Sequence, residues 1–162
     1  MKLEHKQKIT PFLWFNDNAE EAVNFYTSLF ENSKIKTVTR NGKNGPGPEG
    51  SVMSAIFELE GIEFFALNGG PMFQFTEAFS LFINCETQEE VDRLWDKLSE
   101  GGEKSRCGWL KDKFGLSWQV VPNILGDLMN DKDSRKAGNV MRAMMKMDKI
   151  IIKDLEEAYA NS

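Results

Sequence analysis

Asn18 to Glu31 reads NAEEAVNFYTSLFE, and Thr87 to Glu100 reads TQEEVDRLWDKLSE. The two stretches begin 69 positions apart, and their apolar residues stay in step at that displacement. Ala22, Phe25, Tyr26 and Leu29 match Val91, Leu94, Trp95 and Leu98, each set spaced i, i+3, i+4, i+7 as one face of an amphipathic helix. Asn18 with Glu21, and Thr87 with Glu90, place a side-chain acceptor ahead of the first turn and a carboxylate three residues later, the signature of a capped helix start. One supersecondary unit used twice predicts a pseudo-symmetric fold.

Strands surround both helices. Ile9 to Phe15 (ITPFLWF) is a dense β-branched and aromatic run ahead of the first helix. After it come Lys34 to Arg40, Ser51 to Glu60 and Ile62 to Asn68, the last two so close that they must form a hairpin. The second unit offers Ala78 to Asn84, its helix, segments near Lys104 to Cys107 and Trp109 to Asp112, and Leu116 to Val121. The fold class expected is α+β, with one βαβββ module at residues 9–68, another at 78–121, and a helical extension at 122–162, all in a single domain of 1–162. In that extension Ala137, Val140, Met141 and Met144 form one apolar stripe, read as a packing face, and Asp154 and Glu157 read as capping the last helix. It packs on its own domain or on a partner subunit; a homodimer is expected.

Composition excludes several classes. With 41% hydrophobic residues the chain can build a core, and no run approaches the roughly 18 apolar residues of a membrane span. The start MKLEHKQK lacks a signal-peptide core, so a cytoplasmic protein is expected. Net charge of −5 argues against a nucleic-acid partner. Cys85 and Cys107 are too few for a disulfide framework or a structural zinc site. The Gly/Pro-rich segment Asn41 to Gly50 (NGKNGPGPEG) lacks a Gly-Lys-Ser/Thr ending and leads into a strand, so it reads as a hairpin loop and not as a phosphate cradle. No glycine-rich turn joins a strand to a helix in the manner of a dinucleotide site.

The segments ITPFLWFNDNAEEAVNFYTSLF, FALNGGPMFQF and CGWLKDKFGLSWQVVP, with the Met-rich tail, resemble the PhnB-like group of the vicinal oxygen chelate superfamily, often labelled 3-demethylubiquinone-9 3-methyltransferase domains. Glyoxalase I, extradiol dioxygenases and bleomycin-resistance proteins share that superfamily. The resemblance spans nearly the whole chain. It implies that both modules contribute to a cup-shaped mixed sheet, with helices outside and a metal or small organic ligand on the concave side.

The resemblance also locates the metal question. Aligned on the repeat, the superfamily's ligand positions fall at Pro11, Ala66, Ser80 and Gln119, none of which carries the imidazole or carboxylate that divalent metals prefer. The one histidine, His5, lies in a polar tail and reads as solvated. No metal and no cofactor are therefore expected. Strand alternation from Pro11 then lines the cup with Leu13, Phe15, Phe64, Asn68, Ser80, Phe82, Ser117, Gln119 and Val121, and turns Trp14, Leu81 and Trp118 toward the helices. Phe73, Gln74 and Trp109 are expected at its mouth. That lining suits a largely apolar small molecule, the alternative being that the same side chains fill a closed core. Catalytic residues are not identified. Cys107 is the one candidate nucleophile, and neighbouring Arg106 points to the opposite face if the segment is extended. Three readings stand: a metal-free small-molecule-binding protein, an enzyme of the superfamily, or a methyltransferase as the label implies.

Overall fold

The computed structural model of the chain describes residues 7–161; His5 lies outside them. Two compact units divide between Gln74 and Phe75. The first runs β1 (Phe12–Phe15), α1 (Ala19–Leu29), β2 (Lys34–Arg40), β3 (Val52–Leu59), β4 (Ile62–Asn68). The second runs β5 (Ser80–Cys85), α2 (Gln88–Ser99), β6 (Glu103–Lys104), β7 (Trp109–Lys111), β8 (Ser117–Pro122), then α3 (Asn123–Met129), α4 (Ser134–Met144) and α5 (Ile152–Ala160). Each unit holds one four-stranded mixed sheet, ordered β1-β4-β3-β2 and β5-β8-β7-β6. In each the first strand lies parallel to the last and the other pairs are antiparallel. The tandem βαβββ order with trailing helices is that expected.

In the first unit α1 lies on one face of the sheet. Its buried stripe is Ala19, Ala22, Val23, Tyr26 and Leu29. Tyr26 stacks on Phe57 with centroids 6.5 Å apart, and Phe57 stacks on its register partner Phe64 at 5.3 Å. Such ring pairs add about 0.5–1.5 kcal/mol beyond the area they bury. The hairpin joining β3 to β4 turns on Glu60 and Gly61, both with positive φ (50° and 80°), the geometry of a two-residue type I′ turn that matches strand twist.

Capping differs between the helices. Thr87 Oγ1 accepts from Glu90 N at 3.2 Å, and Glu90 Oε2 accepts from Glu86 N at 2.8 Å, a reciprocal cap. Asn18 makes no such bond, because its backbone (φ −114°, ψ 25°) is not extended. The α1 N-terminus is satisfied from across the sheet instead: Ala19 N donates to Asn68 Oδ1 at 2.9 Å.

In the second unit the α2 stripe Val91, Leu94, Trp95 and Leu98 is buried with Cys85, Leu110, Trp118 and Val120, all 3% exposed or less. The β7–β8 turn is organised by buried Asp112, which accepts from Phe114 N, Leu116 N and Trp118 Nε1 at 2.9–3.0 Å. The strand expected over Lys104 to Cys107 ends at Lys104, because Cys107 (φ 58°) and Gly108 (φ 82°) are left-handed and turn the chain. That turn is held from the extension: Cys107 N donates to Met147 O and Gly108 N to Asp148 O.

The extension packs on its own unit, with Val121, Leu125, Val140, Ile150 and Leu155 forming one core. Gln88 clips it to α2, donating to Ile150 O at 3.1 Å and accepting from Ile152 N at 2.7 Å. This bond caps α5, whereas Asp154 lies inside its first turn and makes no cap.

Candidate functional site

Helices cover one face of each sheet, so a site for a small molecule must be sought on the other, open face. Register identifies it, since residues paired across strands share a face. In the second unit Leu81, Ile83 and Cys85 share the α2 side with Trp118, Val120 and Leu110. Ser80, Phe82, Ser117 and Gln119 lie on the open side. Two rows cross it: Ser80–Ser117–Lys111 on β5, β8 and β7, and next to it Phe82–Gln119–Trp109.

The first row is polar. Gln119 Nε2 donates to Ser80 Oγ at 3.0 Å, which joins the two rows. Ser117 is 1% exposed, and its Oγ has no hydrogen-bond partner. A buried hydroxyl left so is costly, by about 1–3 kcal/mol. Lys111 Nζ meets Glu77 Oε1 at 2.6 Å. That contact holds the Glu77 carboxyl below the usual carboxylate range and raises Lys111 above the ordinary lysine value, so both stay charged around neutrality. The second row is aromatic at both ends: Phe82 is 52% exposed and Trp109 is partly buried.

The first unit departs from the expected alternation. Leu13, Phe15, Phe64 and Asn68, expected on the open side, face α1. Leu13, Phe15 and Phe64 are buried in the core beneath the helix. Asn68 is spent on structure, accepting from Ala19 N and donating to Val52 O at 3.0 Å. Ala66, paired with Ala55 and Leu13, is buried with them. The physical reason is one residue of loop. Three residues, Asn16 to Asn18, separate β1 from α1, whereas only Glu86 and Thr87 separate β5 from α2. The helices therefore match at a displacement of 69 but the strands at 70, Phe15 corresponding to Cys85, and a one-residue shift exchanges the two faces of a strand.

The open face of the first sheet thus carries Phe12, Trp14, Phe65 and Leu67, which the sequence reading assigned elsewhere or passed over. Phe12 meets Phe65 edge-on at 6.1 Å, and Trp14 meets Phe73 edge-on at 5.0 Å. Trp14 Nε1 donates to Gly70 O at 2.9 Å, and its ring lies where a Cβ on Gly69 would stand, 2.3 Å away. The Gly69-Gly70 pair was the available signal, since a backbone passing that close to an indole needs glycine. At the edge of this face Lys36 bridges Glu58 (3.2 Å) and Glu63 (2.8 Å). A shallow groove on the helix side, between α1 and β2–β3, is lined by Val23, Ile35, Val38, Val52 and Ala55. Its polar members are already engaged, Glu20 with Arg40 and Asn24 with the helix backbone.

The carboxylates on the open faces are bound to lysines, Glu58 and Glu63 to Lys36 and Glu77 to Lys111. No group of three or more His, Cys, Asp or Glu side chains is placed to hold an ion among the described residues. The hydroxyl and amide groups of Ser80, Ser117 and Gln119 are neutral, weak ligands. Cys107 Sγ, the candidate nucleophile, is turned to the carbonyl of Met144, 3.7 Å away. Cys85 is buried, and burial pushes its thiol up to about 12.

The family model of 3-demethylubiquinone-9 3-methyltransferase matches residues 7–121. A PhnB protein from Bacillus cereus is 45% identical, with a TM-score of 0.68 over 72% of this chain and 99% of that one. Protein PA1353 from Pseudomonas aeruginosa is 23% identical, with a TM-score of 0.60 over 72% and 98%. The fosfomycin resistance protein FosX from Listeria monocytogenes, solved with Mn(II) and sulfate, is 17% identical, with a TM-score of 0.50 over 70% and 89%, a likeness of fold alone. No curated protein matches the chain.

Proposed function

The chain belongs to the 3-demethylubiquinone-9 3-methyltransferase family and has the glyoxalase/bleomycin-resistance-like fold of the vicinal oxygen chelate superfamily, and we propose that it binds a small, largely apolar organic molecule, without a metal ion, through Ser80, Phe82, Ser117 and Gln119. The observation that carries this reading is the open face of the second sheet, where exposed Phe82 and half-buried Trp109 flank a polar strip that contains the unpartnered Ser117 hydroxyl. Sparse polar groups set in an apolar wall are what a small-molecule site requires.

Binding is preferred to catalysis on the chemistry of that face. Its titratable pair, Lys111 and Glu77, is locked in the charged forms, which makes neither a good proton donor or acceptor near neutral pH. Nor do the strand-to-helix connections suit the cofactor that the family's name implies. Asn16 to Asn18 and Glu86-Thr87 contain no glycine, so the close backbone approach of a glycine-rich nucleotide loop is missing.

The test is a fluorescence titration with 8-anilinonaphthalene-1-sulfonate as a general apolar probe. Saturable binding that weakens at least about fivefold in Phe82→Ala, the scale of a lost aromatic contact, supports the reading. Equal affinity in both proteins rejects it. A homodimer in the cytoplasm completes the proposal, supported by the exposure of Phe12, Met72 and Phe73, at 57–76%. No helix of the described residues is long and apolar enough to cross a membrane. Sedimentation as a monomer at micromolar concentration would count against the dimer.

A further inference from the structure

The two rows on the second sheet define more than an apolar patch. Phe82 and Trp109 are both register partners of Gln119, one on either side of it, so they stand two strand spacings apart with the amide between them. Two spacings set the backbones that carry them about 9.6 Å apart. A flat ring needs about 3.5–4 Å to a neighbouring carbon surface on each side, about 7–8 Å in all. The spacing of these two side chains is therefore enough for one planar ring standing on edge beside Gln119, whereas a puckered saturated ring is thicker and gains no stacking from either aromatic.

The adjacent row fixes what the ring carries. Ser117 Oγ is shielded and unpartnered, Ser80 Oγ already accepts from Gln119 Nε2 and so has its own proton to give, and Lys111 brings a positive charge to the end of the row. Three donors lie along one row of the sheet, and among acceptors a carboxylate suits such a row best. Glu77, 64% exposed, already presents a carboxylate to Lys111 at 2.6 Å. A ligand's carboxylate would compete with that side chain for the same ammonium.

Resting on the binding reading above, we propose that the ligand is a planar aromatic carboxylic acid, its ring between Phe82 and Trp109 and its carboxylate on Ser80, Ser117 and Lys111. Glu77 is then an internal competitor that limits affinity.

The experiment is calorimetric titration of the full chain with 2-naphthoate and with its saturated counterpart, decahydronaphthalene-2-carboxylate, which has the same charge and connectivity. The aromatic acid is expected to bind roughly tenfold more tightly, as two ring contacts allow, with the preference abolished in Trp109→Leu. Glu77→Gln is expected to tighten 2-naphthoate binding severalfold, a gain that damage to the fold could not produce. Equal affinity for the two acids, or weaker binding in Glu77→Gln, overturns the proposal while leaving a general apolar site intact. Failure of both acids to bind also overturns it, and the wider reading falls with it only if 8-anilinonaphthalene-1-sulfonate fails too.

Discussion

Replacing Asn68 by alanine separates the two faces of the first sheet more sharply than any other single change. Its amide spans the core, accepting from Ala19 N at 2.9 Å and donating to Val52 O at 3.0 Å. Both backbone partners belong to buried residues, Ala19 at 0% and Val52 at 4% exposure. Truncation would orphan one N–H and one carbonyl, each costing about 1–3 kcal/mol when water cannot reach it. Relaxation and partial rehydration at the α1 N-terminus return some of that, so a net loss of about 3 kcal/mol is expected. Urea unfolding followed by circular dichroism should show a lower midpoint at unchanged slope, since the surface exposed on unfolding is the same. Asn68→Asp keeps the acceptor and adds a charge favourable to the helix N-terminus, but it sets a carboxylate against Val52 O. An intermediate loss is expected there. Because Asn68 faces α1, the folded Asn68→Ala protein should bind 8-anilinonaphthalene-1-sulfonate as the parent does. A stability loss under about 0.5 kcal/mol, below the net value of one ordinary hydrogen bond, together with lost probe binding, would place Asn68 on the ligand side and refute the register argument.

Other consequences follow from contacts elsewhere. Gly69→Ala forces a Cβ to within 2.3 Å of the Trp14 ring, so Trp14 must leave its bond to Gly70 O; tryptophan emission should shift to the red with α1 and α2 intact by far-ultraviolet circular dichroism. The Cys85 thiol, raised to about 12, makes the folded state hold its proton more tightly than the unfolded chain. Its stabilisation is full below the unfolded thiol value near 9 and is lost as pH rises toward 12, so the fall in stability over that window should be shallower in Cys85→Ala. Cys85 should also resist iodoacetamide at pH 8 until the protein is unfolded, as mass spectrometry of the alkylated peptides would show. Gln88→Ala removes the cap on Ile152 N and the bond to Ile150 O, and hydrogen exchange should quicken over residues 150–160 while β5 and β8 keep their protection.

The features that were legible in the sequence were those set by local periodicity. Both helices repeat the same apolar spacing, and the Glu60-Gly61 turn leaves β3 and β4 no arrangement but a hairpin. What escaped were quantities that a single residue decides. Carrying the displacement of the helices into the strands reversed the first sheet, because the β1–α1 connection is one residue longer than its twin and nothing in Asn16-Asp17-Asn18 marks which residue is extra. Long-range polar partners were equally hidden. Gln88 sits on a helix face that reads as solvent-exposed, yet it holds a strand-like link more than sixty positions away. Lys111, one position from buried Leu110, became part of the candidate site only when the pairing of β7 with β8 put it beside Ser117. The Cys107-Gly108 turn illustrates the same limit, since a left-handed cysteine is stabilised by Met147 and Asp148 of the extension and not by its neighbours in sequence.

The most direct test of the central claim is native mass spectrometry of freshly purified, untagged protein, compared with Phe82→Ala. An additional organic mass on the parent protein, no bound metal, and loss of that mass from the variant are expected. A stoichiometric divalent metal on both proteins, with no organic adduct, would contradict the claim.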